Sequence, residues 1–197
     1  MPKSQFIITR EDIVSNDIFG PERKARRAAL KDKKALRRVP LGPDATFYFE
    51  CYETMLFQIQ EMLYIEKGGE EQLEDELRAY NPLVPNGNEL VATLMFEIND
   101  EVRRLKFLRS ITGIENHIYL QIGDEKIYAV PEDDAERTTP DGKTSSVHFL
   151  HFPLTEHQKH AFVNPDIQVI LGSDHPNYMH MTVLSQETIG ELASDFA

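Results

Sequence analysis

Four histidines lie within sixteen residues of this chain, in the stretch VHFLHFPLTEHQKHAF at 147–162. Imidazole nitrogens bind transition metals and exchange protons near neutral pH, so this density raises the question of a metal centre or an acid–base cluster. A metal site needs three or four converging ligands, usually at spacings such as His-Glu-x-x-His on one helix face. The stretch contains no such spacing.

The histidines separate by face once elements are assigned to them. His148 and His151 are three apart in a predicted strand, and odd separations place side chains on opposite faces. Apolar neighbours on both faces predict a central strand, which favours His148 as a hydrogen-bonded core residue, with a ligand role as the alternative. His157 and His160 share a helix face and could form half of a metal site, but an exposed polar face is favoured.

Two further groups of residues could form a binding site. Asp174-His175-Pro176-x-Tyr178 brings an imidazole, a carboxylate and a phenol into one turn, where a pocket could use them, although ordinary turn residues are the favoured interpretation. Glu50, Glu53, Gln58 and Glu61 cluster at a strand-to-helix junction, and paired carboxylates there could exchange protons if burial separates their pKa values. A solvated face, or an ion pair to Arg37 or Arg38, is the favoured alternative. The candidate ligand-binding residues are His148, His175, Tyr178, Glu50, Gln58 and Glu61, with none assigned as catalytic or metal-binding.

Familiar catalytic motifs are missing from the sequence. There is no Gly-rich phosphate loop and no G-x-S-x-G elbow. The single cysteine, Cys51, cannot form an internal disulfide or a CxxC pair, and a small apolar role at a strand end is favoured. The sequence leaves the cofactor open, and a binding protein is favoured over an enzyme.

Charge divides the chain into two parts. Residues 21–38 hold nine Lys/Arg against two acids, and the residues after 38 hold ten Lys/Arg against twenty-eight acids. We predict an N-terminal basic helical arm over 1–38 and a single domain over 39–197. Docking of the basic helix on the acidic helix 70–77, in its own or a neighbouring chain, is favoured. Nucleic-acid binding through 23–38 is disfavoured, because interleaved aromatics are missing and the acidic body repels phosphate.

The hydrophobic pattern predicts the fold class. Residues 89–99 alternate as a strand, 117–130 form a hairpin around Gly123-Asp124, and helices begin at the caps Asp100, Thr155 and Ser185. Strands and helices mix without βαβ alternation, which predicts an α+β fold with a mainly antiparallel sheet and packed helices. No stretch approaches the ~20 apolar residues of a membrane span, and no signal sequence is evident. We expect a cytoplasmic protein with no membrane partner.

Several motifs resemble an uncharacterised bacterial family known as a domain of unknown function. They are RVPLGP at 38–43, FQIQEML at 57–63, ELRAYNPLVP at 76–85, TSSVHFL at 144–150 and DHPNY at 174–178. Members tend to be encoded beside rubrerythrin-like and iron–sulfur oxidoreductase proteins, so the resemblance implies an accessory role in redox or oxidative-stress metabolism. His148 and His175 match family positions, whereas His151, His157 and His160 stand where other residue types are usual.

These observations favour a cytoplasmic accessory or binding protein that forms a homo-oligomer and has a redox protein as a partner. The first alternative is a metal-binding protein or enzyme that uses His148, His175 and nearby carboxylates. The second is nucleic-acid binding through the basic helix 23–38.

Overall fold

The alternating apolar stretches form strands that pair into two antiparallel sheets, in a computed structural model that describes residues 6–132 and 142–197. The five-stranded sheet has the order β1 (Arg38–Leu41), β2 (Ala45–Phe49), β3 (Glu89–Phe96), β7 (Val147–Pro153) and β6 (Val130–Pro131). The four-stranded sheet has the order β5 (Glu125–Tyr128), β4 (Ile118–Ile122), β8 (Val169–His175) and β9 (Tyr178–Val183). The predicted α+β class is confirmed.

Seven α-helices accompany the sheets in the described part of the chain. They are α1 (Asn16–Ala29), α2 (Lys31–Leu36), α3 (Tyr52–Glu66), α4 (Gly69–Tyr80), α5 (Glu101–Ser110), α6 (Glu156–Phe162) and α7 (Gln186–Leu192). The predicted caps Asp100, Thr155 and Ser185 are confirmed, since each side chain accepts a hydrogen bond from an amide of its first turn. No helix among the described residues is long and apolar enough to cross a bilayer.

The strand β3 lies at the centre of the molecule, and its two faces have different surroundings. Leu90, Ala92 and Leu94 are fully buried in the core between the two sheets. On the opposite face, Val91 is fully buried against α3 and α4, whereas Thr93 is only half-buried. The helical layer therefore covers one end of this face and leaves the other end open.

The basic N-terminal segment packs against its own chain. The basic stretch 21–38 lies on two helices, α1 and α2, and ends at Arg38 in β1, so it is not one continuous helix. Phe19 is fully buried and contacts the rings of Phe57 and Tyr64 on α3. Within the chain, the predicted docking on helix 70–77 was wrong in its partner, because Arg23 and Arg27 of α1 pair with α3, and it is Arg10 that pairs with α4.

The hairpin β8–β9 is longer than the sequence pattern indicates. The stretch Gly-Ser-Asp-His-Pro predicts a turn, but β8 continues to His175 and only Pro176 and Asn177 form the turn. The ring of Tyr119 on β4 lies against Gly172, where an added Cβ would come within 2.3 Å of it. The glycine therefore serves close packing within the sheet rather than a change of chain direction.

Candidate functional site

A pocket of about 380 Å³ opens on the five-stranded sheet where the helical layer leaves it uncovered. Its walls are largely apolar and come from the region of α2, from α3, from the end of α4 and the turn after it, and from strands β2, β3 and β7. The apolar lining includes Phe49, Met55, Leu83, Met95, Val147 and Phe149, and the polar lining includes Lys34, Tyr48, Glu50, Thr54, Gln58, Tyr80 and Thr93. This volume is in the range that small organic ligands occupy in proteins.

Glu50 is the buried acidic group of this pocket. It follows the last residue of β2, and its amide donates to the Val91 carbonyl at 2.8 Å, which extends the pairing with β3. Its carboxylate oxygens accept hydrogen bonds from Thr54 Oγ1 at 2.7 Å and Thr93 Oγ1 at 2.8 Å. Burial raises the pKa of Glu50, and the two hydroxyl hydrogen bonds oppose this shift only in part.

The hydrogen bonds around Thr54 suit both protonation states of Glu50. Thr54 Oγ1 accepts from the Cys51 amide and can donate its single proton to Glu50 Oε2 or to the Cys51 carbonyl, at 3.0 Å. When Glu50 is ionised, the threonine proton points to the carboxylate. When Glu50 is protonated, the carboxyl donates to Thr54 and the threonine proton moves to the Cys51 carbonyl. Glu50 can therefore gain or lose a proton without leaving a buried group unpaired.

Two cationic side chains line the pocket in different ways. Arg37 is buried and donates to both carboxylate oxygens of Asp195, to Glu191 Oε1 and to the Glu50 carbonyl. Burial alone would lower the pKa of Arg37, but the hydrogen bond and charge of Asp195 outweigh burial and raise it. Lys34 is exposed, and within the described ranges no carboxylate lies within 4.0 Å of its Nζ. Arg37 thus fixes the pocket wall, whereas Lys34 is available at the mouth.

Glu61 lies outside this pocket and serves a different contact. Its carboxylate accepts two hydrogen bonds from Arg23, both at 2.7 Å, and one from Arg27 at 2.9 Å. The hydrogen bonds from Arg23 are the largest of the effects that lower the pKa of Glu61. Glu61 therefore anchors α1 on α3, and the expected partners Arg37 and Arg38 are not the ones it uses.

His148 lies in the core between the sheets, as the strand pattern predicts. It is fully buried, its Nε2 donates to the Ser145 carbonyl at 3.0 Å, and its ring meets the ring of Phe96 edge-on. Its Nδ1 lies 3.8 Å from Oε2 of Glu115. These contacts place His148 among structural groups, away from Glu50.

His175 and Tyr178 lie on either side of the turn of the β8–β9 hairpin. His175 Nε2 donates to the Thr112 carbonyl at 3.3 Å, and its Nδ1 accepts from the Asn177 amide at 3.2 Å. The Tyr178 hydroxyl donates to the Leu41 carbonyl at 2.6 Å and accepts from the Asp44 amide at 3.2 Å, so it joins the two sheets. Of the predicted candidates, the structure brings together Glu50 and Gln58 in the pocket and places the other four elsewhere.

Sequence reasoning missed the best-connected histidine of the quoted stretch. His151 Nδ1 lies 3.0 Å from Glu89 Oε2, and its Nε2 lies 2.8 Å from Glu132 Oε1. Burial alone would lower the pKa of His151, but the two carboxylates outweigh burial and raise it. The partners are 62 and 19 positions away, so only the pairing of β7 with β3 and β6 brings them together.

A second cluster joins Asp174 and His175, which the sequence singles out, to His117 and Tyr128, which it does not. Asp174 accepts from the Tyr128 hydroxyl at 2.6 Å and pairs with His117 Nδ1 at 3.0 Å. The His117 ring meets His175 edge-on at 5.0 Å. Among the side chains that the structure describes, no group of three or more His, Cys, Asp or Glu is arranged to hold a metal ion.

The contacts of His151 predict a stability that depends on pH. A raised pKa means that the imidazolium stabilises the folded state fully below its ordinary pKa of 6.5, and that this contribution is lost as pH rises through the folded-state pKa. The free energy of unfolding of the wild-type protein should exceed that of a His151→Asn variant at low pH. This difference should shrink by about 1 kcal/mol at high pH. Urea unfolding of both proteins from roughly pH 6 to pH 9 measures this difference. Parallel pH profiles would contradict the ion pairs.

Two antiparallel sheets, a helical layer and a pocket with a buried carboxyl group define an α+β protein with a site suited to a small ligand. The family model described as "Protein of unknown function (DUF3501)" matches residues 7–196, so the chain belongs to that family. The predicted membership of a domain-of-unknown-function family is confirmed. The predicted gene neighbourhood remains a prediction.

The fold is similar to that of a solved protein. A crystal structure at 1.90 Å resolution, of a novel protein of unknown function from Burkholderia pseudomallei K96243, shares 34% sequence identity with this chain. The match covers 96% of this chain and 99% of that chain, with a TM-score of 0.88. A search of curated proteins found no match.

Proposed function

We propose that the protein binds a small organic molecule in the Glu50 pocket and acts as a non-catalytic accessory or binding protein. The observation that carries this proposal is a buried carboxyl group of raised pKa in an open, apolar-walled pocket. Placing a carboxyl group there costs folding free energy, because burial penalises its charged form. A ligand that uses this group would account for the cost.

The neighbourhood of Glu50 supports binding over catalysis. The hydrogen-bond partners of its carboxylate are the hydroxyls of Thr54 and Thr93, and among the described residues neither hydroxyl has the histidine or lysine partner of a typical catalytic nucleophile. The adjacent thiol of Cys51 is buried, and burial raises its pKa to about 11. A thiol with so high a pKa is a poor nucleophile at neutral pH.

The remaining predictions of cellular role are proposals with their own support. A link to redox or oxidative-stress metabolism, a redox protein partner and a cytoplasmic location rest on the resemblance and on the composition. A homo-oligomer is supported by the exposed apolar side chains of Met179, Met181 and Val183 along β9. Sedimentation velocity tests the oligomer, and a single monomeric species across the concentration range would contradict it.

Methionine methyl groups provide a direct test of the pocket. With methyl-labelled methionine, fragments that bind the pocket should shift the NMR signals of Met55 and Met95, which line it. Met179 and Met181 are exposed on the other sheet and serve as internal controls. A Gln58→Trp variant, which fills the pocket from α3, should abolish the shifts. A broad fragment set that leaves Met55 and Met95 unchanged would overturn the proposal.

A further inference from the structure

We infer that the ligand of the Glu50 pocket carries a primary amine on an apolar body, so that its ammonium group contacts Glu50. This inference rests on the proposed function and names the chemical class of the ligand. Three features of the Glu50 carboxylate support it: the hydrogen bonds that it can still accept, the lack of an ion-pair partner among the described side chains, and its position deep in the pocket.

The Glu50 carboxylate has capacity for further hydrogen bonds. Each carboxylate oxygen can accept about two hydrogen bonds, and in the described part of the chain Oε1 accepts one from Thr93 and Oε2 one from Thr54. Because Glu50 lines the pocket, a donor that enters the pocket can reach this capacity. An ammonium group supplies three N–H donors at a single point.

No side chain of the described residues forms an ion pair with the Glu50 carboxylate, although the charges of Lys34 and Arg37 lower its pKa in part. Arg37 directs its guanidinium to Asp195 and Glu191, and it contacts only the carbonyl of Glu50. Lys34 is not within ion-pair distance of Glu50. A buried carboxylate without an ion-pair partner is costly, so burial raises the pKa of Glu50, and a cationic ligand would favour its ionised form.

The remaining lining suits the apolar body of such a ligand. Met55 and Met95 have flexible thioether side chains that adapt to different shapes, and Val147 and Phe149 complete an apolar wall on β7. Lys34 is exposed at the mouth, whereas Glu50 is buried. The buried carboxylate of Glu50 attracts an ammonium group to the depth of the pocket and repels an anion from it.

Binding should therefore be coupled to proton release. A protonated Glu50 carboxyl group that meets an ammonium ion loses its proton to solvent, and the carboxylate and ammonium then form the ion pair. The affinity for an amine should rise with pH until Glu50 is ionised in the free protein. A neutral alcohol of the same shape should show neither effect.

Three probes of similar shape and different charge test the inference. They are 2-phenylethylamine, 2-phenylethanol and 3-phenylpropanoate, titrated by calorimetry and by the methionine methyl signals. We expect the amine to bind wild-type protein at least about tenfold more tightly than the alcohol, a difference in the range measured for hydrogen bonds to charged groups. Glu50→Gln should reduce the affinity for the amine to that for the alcohol. Titration in two buffers of different ionisation enthalpy should show proton release for the amine alone.

The possible failures are distinguishable. Equal affinity for amine and alcohol would overturn the amine inference but not the proposed ligand pocket. The same holds if the propanoate binds more tightly than the amine and Lys34→Gln abolishes that binding. If none of the three probes binds while other fragments shift Met55 and Met95, the amine inference again fails alone. If no fragment shifts those signals, the proposed function fails with it. The rank order in wild-type protein decides the matter even if Glu50→Gln does not fold.

Discussion

Replacement of Arg37 by methionine is expected to destabilise the protein by about 3–5 kcal/mol, the cost of breaking a buried ion pair from one side. Arg37 is 2% exposed and donates two hydrogen bonds of 2.8 Å to Asp195. Methionine retains much of the volume but leaves the Asp195 carboxylate buried without its guanidinium. Glu191 is less affected, because Lys33 lies 3.7 Å from it.

Urea unfolding of three variants measures this effect and separates charge from packing. Arg37→Lys retains the charge but loses the bidentate hydrogen bond to Asp195, so its loss of unfolding free energy should be intermediate. Combining Arg37→Met with Asp195→Asn should recover part of the stability, because the unpaired charge is then removed. A loss below about 1 kcal/mol for Arg37→Met alone would show that the pair is not buried in solution.

Replacement of His148 by leucine is expected to cost about 2–4 kcal/mol of unfolding free energy, without any change in metal content. The variant removes the Nε2 hydrogen bond to the Ser145 carbonyl, whose length is 3.0 Å. It also removes the nitrogen nearest to Glu115 Oε2, which accepts no hydrogen bond from any residue that the structure describes. The Ser145 carbonyl is left without its imidazole donor, and an acceptor that loses its donor inside the protein carries its desolvation cost.

A double-mutant cycle with Glu115→Gln tests whether His148 and Glu115 act together. The losses of unfolding free energy in the two single variants should sum to more than the loss in the double variant, because either change alone disrupts the same buried pair. Elemental analysis of the same preparations tests the metal-binding alternative directly. A stoichiometric transition metal that disappears with His148→Leu would show that His148 is a ligand and that the structural interpretation is wrong.

The fold was predictable from the sequence where the determinants are local. The caps Asp100, Thr155 and Ser185 and the alternation in β3 depend on neighbours within a few residues, and the structure confirms them. The division into two sheets was not predictable in this way, because antiparallel pairing is decided by contacts between distant strands. The length of β8 was missed because Gly172 indicates a turn when its packing partner Tyr119 is unknown.

The candidate site was predictable only in part, for the same reason. Glu50 and Gln58 were named from one local cluster, and both line the pocket. Glu61 belonged to the same cluster, but the arginines that bind it are 38 and 34 positions away. The importance of His151 depends on Glu89, which is 62 positions away. Side chains that share a short segment can thus belong to different contacts in the folded protein.

The contact between Arg37 and Asp195 has a consequence for the order of folding. The two residues are 158 positions apart, and closing so large a loop costs chain entropy that the contact alone does not recover. Interactions of such high sequence separation slow folding and tend to form after local structure is in place. Arg37 lines the pocket and binds the Glu50 carbonyl, so the pocket wall is complete only once this loop has closed. We therefore expect the ability to bind a ligand to appear in the last stage of folding, later than most of the secondary structure.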